Sequence, residues 1–416
     1  MIAKCAQDGA AYSEAEISEY GFRLDPKRDI RESVIRDPLT GEETEETEVV
    51  FNFVGFVTNE KDDMLVVFPK HYRVEDAVQD SQKIFDCISE YEQKRKTLFM
   101  GEQGEPNYVS NYPFSAFFRI YDYFRTFGLC YEDEEYVKPN IGGRISWKDT
   151  IRKSDKFIIN GDLVFFPLYY RKKYHFSSFI TECMIFAIDY TISKFGLLID
   201  AEETGEDFPE FDFLEEREFV VNTLYQLRQK VFRDKLQELI DSLIDFFSEV
   251  NVGGSYYLKH YSFSSIWEDM VEKYLCRYYK DVAADSSIIF DKTAPSGMKF
   301  KKTSFHTNSA APDMYISPDH YCVDAGRQMI FDAKYYTRMD GLDYKQISYL
   351  YMLKDQIDPV TKQKKYCSTH TAMILPSDHR ESRVHFRLAP EFGSSGNDII
   401  MEEYVDIHEV LDEYLA

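Results

Sequence analysis

Short runs of β-branched and aromatic residues mark both ends of the chain, and apolar positions recur at helical spacing in its middle. Val49-Val50-Phe51-Asn52-Phe53-Val54-Gly55-Phe56-Val57 and Met64-Leu65-Val66-Val67-Phe68 predict two strands joined by a hairpin turn over Thr58–Asp63. A helix is expected next, over Val74–Lys94. Phe114–Phe127 and Ser177–Phe195 are aromatic, helix-compatible stretches, with a strand, Leu163–Tyr169, between them. Leu224, Leu227, Val231, Leu239, Leu243 and Phe247 predict a core-packed helix over Phe219–Val250. Val252-Gly253-Gly254-Ser255 reads as a boundary. Beyond it come a helix (Ser264–Asp281), a basic loop (Lys292–Ala311) and two strands at Ala311–Ile316 and Met329–Lys334. A helix (Asp343–Asp355), two strands (Thr369–Leu375 and Arg383–Leu388) and a terminal helix (Ile407–Tyr414) complete the order. The pattern predicts an α/β fold, α+β overall. A mixed sheet flanked by helices (251–416) follows a β-rich N-terminal domain (1–115) and a mostly helical middle region (116–250).

Composition adds limits. A chain of 416 residues, 44% hydrophobic and 16% aromatic, has enough apolar surface for two to three packed domains and is not largely disordered. Seven scattered cysteines without a Cys-x-x-Cys pair indicate reduced thiols, and neither a zinc site nor a disulfide framework. No apolar leader is visible, and the best apolar stretch, Leu163–Tyr170, is too short to span a bilayer. A soluble, cytoplasmic protein with no membrane partner is therefore expected. The net charge of −24 disfavours nucleic acid, yet it is uneven. Ser255–Cys367 holds 16 Lys and Arg against 14 Asp and Glu, about +2. The acid gathers in Glu42–Glu48 and Ala201–Glu218, which read as solvated loops, with docking on a basic partner as the functional alternative.

Chemistry concentrates in that least acidic part. Asp332 and Lys334, two apart on one strand, point the same way. Asp313, in Ala311-Pro312-Asp313-Met314-Tyr315-Ile316 on the neighbouring strand, would bring a second carboxylate. Two carboxylates and an ammonium around one point can hold a divalent metal and a water beside a phosphate. Glu268 falls at the edge of the apolar arc of its helix and adds a third acid. Gln346 could orient Lys334 or a phosphate. Lys299, Lys301 and Lys302 form a basic approach suited to a DNA backbone. All-oxygen ligands, namely Asp313, Asp332, the Ala333 carbonyl and Glu268, suit Mg2+, with Mn2+ able to substitute. Lys334 would position the attacking water and stabilise the transition state. The bland alternative is two surface acids with a lysine salt bridge, an ordinary boundary glutamate, a surface glutamine and a solvated basic loop.

At these residues the chain resembles the PD-(D/E)xK nucleases, and more narrowly the McrC-like and LlaJI-type restriction endonuclease subunits. Trp267-Glu268, Pro312-Asp313 and Asp332-Ala333-Lys334 match the McrC pattern in order, and Lys345-Gln346-x-x-Tyr349 is similar to its polar helix. Gly143-Arg144-Ile145-Ser146-Trp147-Lys148-Asp149-Thr150-Ile151 resembles a LlaJI-type stretch. Phe53–Val57 followed by Phe68-Pro69-Lys70 is similar to the family's N-terminal hairpin. The segment between Asp313 and Asp332 is longer than the compact hairpin of McrC, and Leu350 stands where a tyrosine is usual. The resemblance implies a Mg2+-dependent endonuclease subunit of a restriction or phage-defence system acting on double-stranded DNA. It also implies a separate McrB-like AAA+ GTPase partner, which fits the lack of a G-x-x-x-x-G-K-[ST] loop in this sequence. A DNA repair or recombination nuclease, and an inactive scaffold or DNA-binding subunit, are the competing functions.

Overall fold

The computed structural model describes residues 2–13, 21–36, 43–98, 107–140, 144–176, 178–250, 255–337, 339, 341–392 and 398–416. Val252–Gly254 of the Gly-rich boundary, Gly143 and Glu42 lie outside these residues. The chain divides into two compact units. The first is Met1–Asn111 with Leu197–Asp200 and Gly253–Ala416, and the second is Tyr112–Gly196 with Ala201–Val252. No helix among the described residues is long and apolar enough to cross a membrane.

The first unit holds two larger sheets. Strands β1 (Ile2–Gln7), β2 (Val54–Thr58), β3 (Met64–Phe68), β4 (Tyr108–Ser110) and β5 (Tyr257–His260) pair in the order β1-β3-β2-β5-β4. β2 and β3 are the expected hairpin. Every residue of both strands is buried, which is why they read as unbroken apolar runs. Asn59 closes the turn, its Oδ1 accepting the N–H groups of Lys61 and Asp63 at 2.9 Å each. Gly55 is required by close approach: its φ is 142°, and a Cβ there would stand 2.0 Å from the Leu258 carbonyl oxygen across the sheet.

The strand expected over Val49–Val57 is in fact two. Glu43–Phe51 belongs to a separate antiparallel sheet with Ala11–Ser13 and Ile30–Arg36. The chain crosses between sheets at Asn52-Phe53, where the Asn52 N–H bonds the Asp29 carbonyl at 2.9 Å. Phe51 and Phe53 still bury in one cluster with Val57, Leu65 and Val67. Helix α1 (Ala77–Leu98) starts later than Val74 because Asp76 caps it, its Oδ1 accepting from the Val78 and Gln79 N–H groups.

The second large sheet is built from β6 (His320–Asp324), β7 (Arg327–Ala333), β8 (Ser368–Ser377), β9 (Glu381–Arg387) and β10 (Ile399–Asp406), in the order β6-β7-β8-β10-β9. β7, β8 and β10 are parallel, and β6 and β9 close the edges antiparallel. Helices α2 (Phe263–Tyr278), α3 (Tyr344–Leu353) and α4 (Ile407–Leu415) accompany it. Leu350 of α3 packs on Met373, Leu375 and Ile400, and Tyr349 and Leu353 pack on Ile330. This is the mixed, helix-flanked sheet that the sequence predicts.

One expectation in this sheet is overturned. Ala311–Ile316 is not a strand. Pro312 and Asp313 lie in a turn, and Ile316 alone bridges to Phe305. The strand beside β7 is β6, which begins at His320, four residues after Ile316. Ala325 (φ 48°) and Gly326 (φ 77°) form the two-residue turn that joins them. Two positive φ values match the twist of a tight hairpin, and that fixes which residues pair. β10 had no visible signal because Glu402 and Glu403 interrupt its apolar run. Glu403 is fully buried, yet satisfied by Arg380, Ser382 and the Ile288 N–H.

The second unit contains helices Phe114–Phe127, Phe179–Phe195, Arg217–Arg228 and Asp234–Glu249. The last two correct the single helix expected over Phe219–Val250. The chain turns at 229–233, and Val220 and Leu224 of one helix and Leu239, Leu243 and Phe247 of the other are all buried. Strands are also present: a sheet of Glu132–Pro139, Tyr169–Phe176 and Arg144–Ile145, and a hairpin of Asp155–Ile159 with Asp162–Phe166.

Candidate active site

β7 delivers its acid by alternation. Ile330 packs against α3, and Asp332, two residues on, takes the same side of the sheet. Asp332 is fully buried. Its Oδ2 accepts from Lys334 Nζ at 2.7 Å and its Oδ1 from Lys345 Nζ at 3.3 Å. Lys334 Nζ also reaches Asp343 Oδ2 at 3.0 Å. Asp343 is the cap of α3, its other oxygen accepting the Gln346 N–H at 2.7 Å. One carboxylate thus starts the helix and grips the lysine. Burial alone would lower the Lys334 pKa, but Asp332 and Asp343 outweigh it and hold the ammonium above its ordinary value. Lys334 is therefore charged wherever the protein is folded near neutrality.

Asp319 supplies the second acid. It is buried at the entrance to β6, directly before His320, which pairs with Phe331 of β7. Burial raises the Asp332 pKa first, the neighbouring Asp319 raises it further, and Lys334 opposes them only in part. The two carboxylates share one corner, in which Asp332 faces Lys334 and Lys345. Lys302 is the next cation, with Nζ 3.1 Å from Asp319 Oδ1 and 3.2 Å from Glu268 Oε2. These two acids hold its pKa up against the lowering effect of burial. His320 is buried with both ring nitrogens unbonded, and burial pushes its pKa down to about 3, so the ring is neutral.

Glu268 is placed by its neighbour. The Trp267 indole N–H donates to the Ile374 carbonyl at 3.2 Å, and the same carbonyl accepts the Lys334 backbone N–H at 2.9 Å. One oxygen of β8 therefore fixes both the helix that bears Glu268 and the chain that bears Lys334.

The structure pairs Asp332 with Lys334 directly, on either side of Ala333, and among the described residues Glu268 is linked to them only through Lys302, which bridges it to Asp319. It does not bring Asp313 to them. Asp313 is exposed in a turn and, among the described residues, makes no side-chain hydrogen bond or ion pair. Asp319 takes the position expected of it. Gln346 is fully buried and ties α3 to the sheet, its Nε2 donating to the Ile330 and Ala372 carbonyls at 3.0 and 3.2 Å. These bonds run to the sheet and not to Lys334. Lys302 pairs with Asp319 and Glu268, and Lys299, Lys301 and Lys302 are all exposed. Asp319, Asp343 and Lys345 were missed. The available signal for Asp319 was the second Pro-Asp pair, Pro318-Asp319, ahead of the strand-like His320-Tyr321-Cys322-Val323.

Among the described residues, no three His, Cys, Asp or Glu side chains stand together as a ready metal cluster. Asp319 and Asp332 form a two-carboxylate corner of hard oxygen donors, and the Lys302 ammonium lies between Asp319 and Glu268. The donor chemistry fits a hard dication such as Mg2+.

A family model described as LlaJI restriction endonuclease matches residues 53–398. No curated protein matches. Among solved structures, a chain from the refined half-complex of the tetradecameric assembly of Thermococcus gammatolerans McrB AAA+ hexamers with bound McrC is similar, with 9% identity and a TM-score of 0.39. The match covers 99% of this chain and 98% of that one.

Proposed function

This chain belongs to the LlaJI restriction endonuclease family, and from that premise we propose that it hydrolyses phosphodiester bonds of double-stranded DNA through Asp319, Asp332 and Lys334. The observation that carries the reading is a buried pair of carboxylates beside a lysine that two acids keep charged. Attack on a phosphodiester gathers negative charge on the phosphoryl oxygens. Lys334, preorganised by Asp332 and Asp343, offsets that charge and orients the attacking water. Asp319 and Asp332, with the Ala333 carbonyl and Glu268, would hold Mg2+ or Mn2+, which lowers the pKa of a bound water and neutralises phosphate charge. Lys302 would leave the acids when the ion arrives and turn its charge toward the phosphate backbone. Lys299 and Lys301 would line the DNA approach. The resemblance to McrC-like subunits supports a restriction or phage-defence role with a separate McrB-like AAA+ GTPase as activator.

Plasmid nicking with and without Mg2+, and with and without that NTPase, tests the reading. Asp332→Ala and Asp319→Asn should each lower the rate by roughly 100-fold or more, the scale of losing one preorganised charge. Asp313→Asn should stay within about twofold of wild type, because its side chain touches none of the site. Equal rates for wild type and Asp332→Ala would mean a scaffold. Exonuclease action without the NTPase would mean a repair enzyme.

A further inference from the structure

The second unit carries an element that its own core does not use. Asp155–Ile159 and Asp162–Phe166 form a separate two-stranded hairpin, turned at Asn160 (φ 53°) and Gly161 (φ 91°). Alternation puts Phe157, Ile159, Val164 and Phe166 on one face and Ile158 and Leu163 on the other. Both faces are open: Ile158 is 80% exposed and Phe166 61%. The short helix before it, Trp147–Lys153, exposes Trp147 at 55% and Ile151 at 50%. A lone hairpin is marginal in water, and so dense a run of exposed apolar groups marks a surface that a partner covers.

Charge identifies the partner. From Lys138 to Arg171 the sequence holds seven Lys and Arg against three Asp, a surplus of four positive charges in a chain of net −24. Lys148, Arg152 and Lys156 are exposed beside the apolar groups. A basic, aromatic and aliphatic surface meets both halves of a nucleic acid. The phosphates take the cations, and unstacked bases take the rings and apolar wedges. We propose that the hairpin 155–166 and the helix 147–153 form a second DNA-binding element, which grips the backbone through its basic flank and presses Ile158 and Leu163 against bases. This rests on DNA being the substrate, as argued above.

The test uses full-length protein in EDTA, titrated into a labelled duplex of about 30 base pairs and into the same duplex with an unpaired stretch. Wild type should bind both, the second more tightly. Lys148→Glu with Lys156→Glu should weaken both at least about tenfold and lower the slope of log affinity against log salt by about two. Ile158→Ser with Leu163→Ser should erase the preference for the unpaired stretch at an unchanged melting temperature. Both double variants binding like wild type would overturn the element alone, provided that Asp332→Ala still abolishes cleavage. Apolar replacements that spare DNA binding but dissolve a self-associated species in sedimentation would also overturn it, by showing that a second copy covers the hairpin. Wild type binding neither DNA would sink the nuclease reading with it.

Discussion

Two Pro-Asp pairs precede Asp332, at Pro312-Asp313 and Pro318-Asp319, and each is followed by apolar residues. Residue types alone do not choose between them. The choice lies in the hairpin: β6 must reach β7 through Ala325-Gly326, and only Asp319 sits where that register meets Asp332. Asp332, Lys334 and Glu268 were legible because strand alternation and a helix arc each state a direction. Asp343 was not, since an acid at a helix start reads as a cap and nothing more. Lys302 shows a residue whose predicted type of contact and observed position differ: expected on the DNA path, it lies 3.1 Å from Asp319. If it competes with a dication there, Lys302→Met should tighten Mn2+ or Mg2+ binding by roughly three- to tenfold. That corresponds to about 1 kcal/mol, the scale of one near-surface charge pair. Calorimetry in the absence of DNA reads this directly, and unchanged or weaker affinity would show that Lys302 does not guard the corner.

At the scale of elements, the strand that carries Lys334 is clasped as it leaves the sheet. Tyr335 follows Lys334 and is buried. Its hydroxyl accepts the Lys70 N–H at 2.8 Å, and Lys70 Nζ lies 4.8 Å from its ring centre. His71 Nε2 meets the Tyr336 carbonyl at 3.2 Å. The Phe68-Pro69-Lys70 run that resembles a family hairpin thus abuts the end of β7, a contact no local pattern could announce because it joins residues 265 apart. Asp8 sits in the same clasp, and burial, against the pull of Lys70, Tyr335 and Arg31, raises its pKa to about 6. The folded value lies above the unfolded one, so the fold prefers the protonated acid. Stability is then lost as pH rises from about 4 to 6, by on the order of 3 kcal/mol once Asp8 is ionised. Asp8→Asn should accordingly raise the melting temperature by several degrees at pH 8 and hardly at all at pH 4. An equal shift at both pH values would rule out the ionised Asp8 as the cause.

At the scale of the whole molecule, composition and strand pairing divide the chain differently. The division into 1–115, 116–250 and 251–416 follows changes in residue character. Pairing instead inserts β5, from after the helical region, between β2 and β4 from before it. A four-residue strand, Tyr257-Leu258-Lys259-His260, has too little pattern to declare this. The insertion is strongly tied. Lys259 and Asp29 form a buried ion pair at 2.5 Å, and Asp29 also accepts from the Tyr261 hydroxyl at 2.7 Å. Breaking one buried pair costs about 3–5 kcal/mol, a large share of the about 5–15 kcal/mol that holds a domain folded. A fragment of residues 255–416 would lose that pair, both neighbours of β5 and the Lys70 clasp on Tyr335 together. Such a fragment should keep helical signal in the far ultraviolet, lose its near-ultraviolet aromatic signal and bind a hydrophobic dye. A cooperatively melting, nuclease-active fragment would show instead that the second sheet folds alone and that the N-terminal strands serve only as an attachment.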